Sequence, residues 1–381
     1  MRTPLVAACC AAAALATGGL AVVASIVGHG WNPTALVRMG SGPPDERISR
    51  VARATDPDFV LVKEGRYDGV YYYAIARDPL ALGDEHELID RPSYRYGHAG
   101  YGQLAWLASG GHPGAVPVAL FVLGLLALGV AGGATSLLFA EVGWTRWGAL
   151  AVALNPGLLY AVSADTTETV GAALLAVALL AYTRGRLGLT AAALVPLCLV
   201  KEPFVLVPAA LAVWELVRWS RSGRPPDLWA RAFTLAAGPV ALVAWFAYVK
   251  VQIGEWPVAA GAYGLSPPLA GWKTALLHAG SWGFDSSGGA LTQVGQIAVP
   301  VLVATGAALA IGALRAVRLR TPLDAVYLPQ VLLLIVLDEL SLEYPKDLLR
   351  TAAIPLLLVP VVVCGARSST RWPARGPGPS T

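Results

Sequence analysis

The sequence predicts an all-α polytopic membrane protein, a bundle of about ten transmembrane helices with a large first extracytoplasmic loop. Three observations predict it. The chain of 381 residues is 56% hydrophobic and only 14% charged, where a soluble domain carries about 25% charged residues. The charges fall in short clusters, and the stretches between them are Ala, Leu, Val and Gly at lengths near the roughly 20 residues that cross a hydrocarbon core. The arginines also alternate from one inter-helix segment to the next, which gives the chain a side.

The elements follow in order. The apolar run 4–27 is long for a secretory signal and lacks a small-residue cleavage site, so residues 1–28 read as an uncleaved first helix. Residues 29–114 form the polar loop. Further apolar runs lie at about 115–139, 147–162, 170–182, 188–200, 204–217, 232–253, 294–314, 325–340 and 348–364. Residues 115–364 are therefore the helical bundle, with an outer loop rich in Gly, Pro and Trp at about 254–293. Residues 365–381 are Pro, Arg, Ser and Gly, and read as a disordered cytoplasmic tail. With ten crossings, the segments on the amino-terminal side hold Arg146, Arg184, Arg186, Arg218, Arg221, Arg231, Arg315, Arg318 and Arg320 among other bases, against Glu141, Glu215, Asp227 and Asp324 as the acids. Basic residues in short loops mark the cytoplasmic face. Both termini are expected in the cytoplasm of a multi-pass cell-membrane protein, and the large loop outside.

Within that loop, residues 33–57 are mixed polar and read as irregular, while 69–77 is a short helix stopped by Asp78-Pro79. Residues 101–108 lie at the interface or lead into the next span. Asp68 stands immediately before the 69–77 helix. As an N-cap it would accept backbone N–H bonds. As a catalytic group it would be a carboxylate at the outer surface, positioned to take a proton from a hydroxyl. Tyr67, Tyr71 and Tyr72 are candidate faces for a sugar ring, or else an interfacial aromatic belt. Arg95 suits phosphate oxygens, or is a surface arginine. His98 is a candidate phosphate ligand or acid, or a plain loop histidine. Lys201 and Glu202 sit at the end of an apolar run, where charge is costly enough to suggest a purpose; the alternative is a pair that marks the helix end. Asp165 and Glu168 line a site or form a hydrated turn. Arg350, in a charged stretch ahead of the last run, is a second candidate for phosphate. Asp56-Pro57-Asp58 spells an acidic-x-acidic motif, for which a turn is the simpler account. No metal ligand set is assigned, no disulfide framework is indicated by Cys9, Cys10, Cys198 and Cys364, and no phosphate-binding or dinucleotide motif is present. The arginines read as topology signals, so nucleic acid is not an expected partner.

The stretch YDGVYYYAIARDP, followed by Asp90 and PSYRYGHAGY, resembles the first-loop signature of bacterial membrane glycosyltransferases of the GT-C superfamily. It is similar to the W-D-G-x-W-Y-x-x-I-A pattern of the PIG-V-like mannosyltransferases, with Tyr67 where Trp is common. The polar run 163–168, Lys201-Glu202-Pro203, and Arg350 ahead of the last helix fit the same pattern. The resemblance is specific over 66–101 and extends over most of the chain as hydropathy. It implies a GT-C-like bundle and Asp68 as catalytic base. It further implies a polyprenyl-phosphate sugar donor, with mannose a candidate sugar, and a glycan, lipid or protein acceptor beside the lipid bilayer. It leaves a divalent metal open as cofactor. The competing expectation is a multi-pass transporter or flippase of a lipid-linked or small polar substrate, which would place ionisable residues at mid-membrane on broken helices. A non-catalytic membrane subunit, with Asp68 as a helix cap only, is a third.

Overall fold

The computed structural model describes residues 3–63, 65–223, 226–260, 264–283 and 290–365. The proposed tail beyond 365, and 261–263 and 284–289 of the outer loop, lie outside the described residues. The described chain is helical, with two isolated β-bridges. In order, the α-helices are α1 (Thr3–Ile26), α2 (Glu46–Thr55), α3 (Gly69–Arg77), α4 (Pro92–Tyr96), α5 (Gly100–Ala108), α6 (Val116–Glu141), α7 (Leu150–Ala153), α8 (Pro156–Val162) and α9 (Glu168–Thr183). They continue as α10 (Leu187–Val200), α11 (Leu206–Ser222), α12 (Leu228–Ile253), α13 (Pro257–Ala260), α14 (Ala270–Gly283), α15 (Ala290–Ala316), α16 (Pro322–Ile335), α17 (Pro345–Thr351) and α18 (Ala353–Gly365).

Among the described residues, five helical segments are long and apolar enough to cross a membrane: Pro4–His29, Pro113–Glu141, Glu202–Arg221, Leu228–Ile253 and Gln296–Ala316. A sixth forms if α17 and α18, bent by 54°, are one broken span. The described residues thus form an all-helical, multi-pass chain suited to a lipid bilayer, with five or six crossings by length where the sequence predicts about ten. The difference has local causes. The predicted run 147–162 is not one helix: Pro156 cannot continue a helix from α7, and Asn155 instead caps α8, its Oδ1 accepting from the Gly157 and Leu158 amides at 3.1 and 3.2 Å. Helices α9, α10 and α16 have 16, 14 and 14 residues, short of the roughly 20 needed for one perpendicular crossing. The break between α17 and α18 falls just ahead of Pro355, which lacks the amide that would bond to the Thr351 carbonyl.

Between helices in lipid, close packing replaces the hydrophobic drive that water would supply. Helix α1 lies along α6, where a methyl added at Gly132 would sit 2.8 Å from the Cys10 carbonyl oxygen. Helix α6 then packs on α9, α9 on α10, and α10 on α12.

The polar loop is a folded cap, not an irregular strap. Residues 46–55, expected to be irregular, form amphipathic α2, which buries Ile48, Ser49 and Ala52. Helix α3 occupies the bounds predicted for it and stops where Asp78 turns away ahead of Pro79. Its three tyrosines are 2%, 4% and 1% exposed, which excludes an interfacial belt. They build a second core with Val37, Met39, Phe59, Tyr96 and Tyr101. At roughly 1.5–3 kcal/mol for each large side chain buried, this core fixes the cap. Trp245 of α12 ties it to the bundle by donating its indole N–H to the Tyr96 carbonyl at 2.6 Å.

Candidate active site

Asp68 sits at the N-cap of α3, but its carboxylate accepts no bond from that helix's amides. The capping role that the sequence allowed is not used. The side chain turns instead toward two guanidiniums from distant parts of the chain. Its Oδ2 accepts from Arg350 Nη1 at 2.5 Å, across 282 residues, and its Oδ1 lies 3.8 Å from Arg95 Nη1.

The backbone explains why Gly69 follows. A methyl built on Gly69 would lie 2.7 Å from the Val37 carbonyl oxygen and 2.9 Å from that of Ala164. The first turn of α3 is wedged between the start of the loop and the α8–α9 connection, and only glycine fits. Gly69→Ala is therefore expected to cost at least the roughly 1–3 kcal/mol of an overpacked core, since backbone cannot move aside as a side chain can. Thermal unfolding in detergent measures it; an unchanged midpoint would mean the three segments do not meet this closely.

Arg350 is set by α17. Asn155 donates its Nδ2 to the Ala353 carbonyl at 3.0 Å, and Gly157 lies directly against the Leu349 backbone. The Asn155-Pro156-Gly157 break that ends the seventh helix thus seats the residue that grips Asp68. From Arg350 the network continues to Glu168, 3.8 Å away, and from Glu168 to Lys201 Nζ at 2.9 Å. Glu168 is only 4% exposed in its side chain, so its charge is held by these two cations. Glu202 pairs not with Lys201 but with His98, Nδ1 to Oε2 at 3.2 Å. Lys201 and Glu202 are therefore not each other's partners, and His98 is buried rather than a free loop residue.

Tyr67 and Tyr71 hold cations. The Tyr67 hydroxyl donates to Asp347, its ring faces Arg350 at 4.7 Å and Lys346 at 5.0 Å, and it meets Tyr160 in a T-shaped contact. Arg95 lies 3.5 Å over the Tyr71 ring, whose hydroxyl accepts from Arg66 Nη2 at 2.7 Å. Tyr72 packs edge-on to Tyr101 and His98. The Tyr67 and Tyr71 rings position guanidiniums by cation–π attraction.

Burial by itself would raise the Asp68 pKa, but Arg350 and then Arg95 outweigh it and hold the carboxyl well below the usual range. Burial pushes the Tyr71 hydroxyl up to about 12, against the opposing pull of Arg95 and Arg66. Arg95 is desolvated, yet Asp68, Tyr71 and Asp90 keep it charged. For Asp68 the folded pKa lies below the unfolded value of about 3.9. Its contribution to stability is then complete above that value and is lost as pH falls through the folded pKa. The difference in unfolding midpoint between wild type and Asp68→Asn is expected to be level from about pH 5 to 8 and to shrink below about pH 4. A difference that grows on acidification would contradict the ion pairing.

Asp165 is 1% exposed, neither of its carboxylate oxygens has a hydrogen-bond partner, and burial raises its pKa well above the usual carboxylate value. The hydrated-turn reading of this segment is overturned, because Thr166, Thr167, Glu168 and Thr169 are buried with it. Asp56-Pro57-Asp58 is a turn: Asp56 Oδ1 accepts from the Asp58 amide at 3.0 Å. Among the described residues, no three or more His, Cys, Asp or Glu side chains gather as a metal-ligand group.

Asp68, Arg95, Lys201 and Arg350 thus join one network, with Tyr67, Tyr71 and Tyr72 around it and His98–Glu202 at its edge. Glu168 is the member whose bridging role the sequence did not reveal, although its place at the end of the polar run 163–168 was its signal. No family model, curated protein or solved structure matches this chain.

Proposed function

We propose that the chain is a membrane glycosyltransferase that moves a sugar from a polyprenyl-phosphate donor to an acceptor hydroxyl on the outer face of the cell membrane. One observation carries the reading. Asp68 leaves its helix uncapped and meets Arg350 and Arg95, which come from opposite ends of the chain. A base beside paired guanidiniums is what transfer from a sugar phosphate requires. The acceptor oxygen attacks the anomeric carbon, and its proton passes to Asp68. The bond from that carbon to the phosphate oxygen breaks, and the electron pair leaves on polyprenyl phosphate, neutralised by Arg350, Arg95 and Lys201. A donor phosphate on the two arginines also loosens their hold on Asp68. Its pKa then rises toward that of a useful base only when donor is bound.

The resemblance of YDGVYYYAIARDP to PIG-V-like enzymes supports this chemistry and makes mannose the first sugar to test. The arginine distribution supports cytoplasmic termini and an outer site. In the finer reading, α9, α10, α16 and the α7–α8 pair complete a GT-C-like bundle of about ten crossings. The bent α17–α18 pair favours a second reading, since discontinuous helices beside charged groups are a transporter feature.

Proteoliposomes holding the full chain and radiolabelled polyprenyl-phosphate mannose, supplied with methyl α-mannopyranoside as acceptor, separate the two. The expected result is labelled glycoside together with free polyprenyl phosphate. Label that crosses the bilayer on intact donor would replace the transferase with a flippase, and donor neither cleaved nor moved would defeat both.

A further inference from the structure

Beside the charge network lies a cavity of about 120 Å³, lined by Tyr94, Gly97, Glu202, Phe246, Pro257 and Val258. It is a half-open cleft, so a ring can sit in it without being fully enclosed. Phe246, Pro257 and Val258 give it apolar walls. Its charged group is Glu202, which His98 Nδ1 holds at 3.2 Å while 34% of the side chain stays exposed. The Oε2 end lies against His98 while part of the side chain is open to a ligand.

This pairing of surfaces selects a chemistry. A hydrocarbon chain would desolvate the carboxylate without replacing its hydrogen bonds. A phosphate would be repelled by it. A sugar ring offers hydroxyls to the carboxylate along its edge and a C–H face to aromatic and proline carbons. The cavity also adjoins the network through its own walls. Tyr94 precedes Arg95, whose guanidinium lies 5.3 Å over the Tyr94 ring. Glu202 follows Lys201, which is bound to Glu168. Gly97 permits the arrangement: a methyl there would sit 2.8 Å from Pro257 Cβ and 3.0 Å from the Tyr94 carbonyl oxygen.

We infer that this cavity is the acceptor subsite and takes a sugar ring, with hydroxyls on Glu202 and a C–H face on Tyr94 and Phe246. Naming the ring the acceptor rests on the transferase reading; the binding of a sugar does not. The test uses the purified full chain in detergent micelles and a panel of methyl hexopyranosides, starting with methyl α-mannopyranoside, observed by saturation-transfer NMR. Val258→Trp adds bulk at a position 68% exposed, so the fold has room for it. Glu202→Gln keeps the size and removes the charge. Ring C–H signals are expected from at least one hexoside with wild type, at least tenfold weaker with Val258→Trp and reduced with Glu202→Gln. In the transfer assay, Val258→Trp is expected to raise the acceptor KM at least tenfold with the donor KM unchanged. Absence of binding by every hexoside to folded wild type overturns the assignment. So does equal binding by wild type and Val258→Trp, or loss of a short prenyl phosphate in place of the hexoside. Transfer that proceeds with an unchanged acceptor KM in Val258→Trp overturns the subsite and leaves the transferase standing. Hexoside binding lost in Val258→Trp, in a protein that transfers nothing, upholds the sugar site while the transferase falls.

Discussion

Asp68→Asn is expected to lower transfer by about 10²–10⁴-fold, the range a positioned general base supplies, while α3 and the rest of the fold persist. Asn matches Asp in size and in helix-capping ability, so a capping role would survive the change. The structure sharpens the comparison because Asp68 makes no capping bond at all. The loss is expected in kcat. Donor KM is expected to stay level or fall, since Arg350 and Arg95 no longer share their charge with a carboxylate. Single-turnover rates with labelled donor, alongside circular dichroism, separate these effects. Activity within about threefold of wild type would remove Asp68 from the chemistry, because no residual base effect of the size expected for a general base could be hidden in it.

Arg350→Met has the larger structural consequence. Arg350 is 16% exposed and touches Asp68, Glu168 and the Tyr67 ring together. Its removal leaves Glu168 with Lys201 alone and Asp68 with Arg95 at 3.8 Å. Breaking a buried ion pair typically costs about 3–5 kcal/mol. The 29% exposure of Asp68 lets water compensate in part, which puts the expected loss near the low end. Donor KM should rise along with it. Arg350→Lys keeps the charge, but one ammonium cannot reach both carboxylates as a planar guanidinium does. It is expected to recover stability in part and donor affinity little. Unfolding midpoints and donor KM for the two variants provide the check; a Met variant with both unchanged would make Arg350 a bystander.

Several features were legible in the residues themselves. The helix 69–77 could be bounded because Asp78-Pro79 is a local stop. Asp68, Arg95, Lys201 and Arg350 were identifiable because a charge beside an apolar run is conspicuous wherever it later folds. Other features misled for physical reasons. The run 147–162 is apolar throughout, so hydropathy joined what Asn155-Pro156 divides. Residues 33–57 look mixed because only one face of α2 is buried. Lys201 and Glu202 look like a pair because they are adjacent, yet at the helix end their side chains diverge, one to Glu168 and the other to His98.

Composition, hydropathy and the placement of arginine are sums over neighbouring residues, and from them the sequence by itself determined a helical, multi-pass membrane chain with one long polar segment after its first helix. Partnership is not such a sum. That Asp68 meets Arg350, that Gly69 is wedged between two carbonyls, and that Tyr67 and Tyr71 hold cations were decided only when distant segments packed together. An ion pair across 282 residues depends on where the backbone carries each charge, and for Arg350 that is set by Asn155 and Gly157, which meet its helix from another part of the chain, and by the Pro355 break.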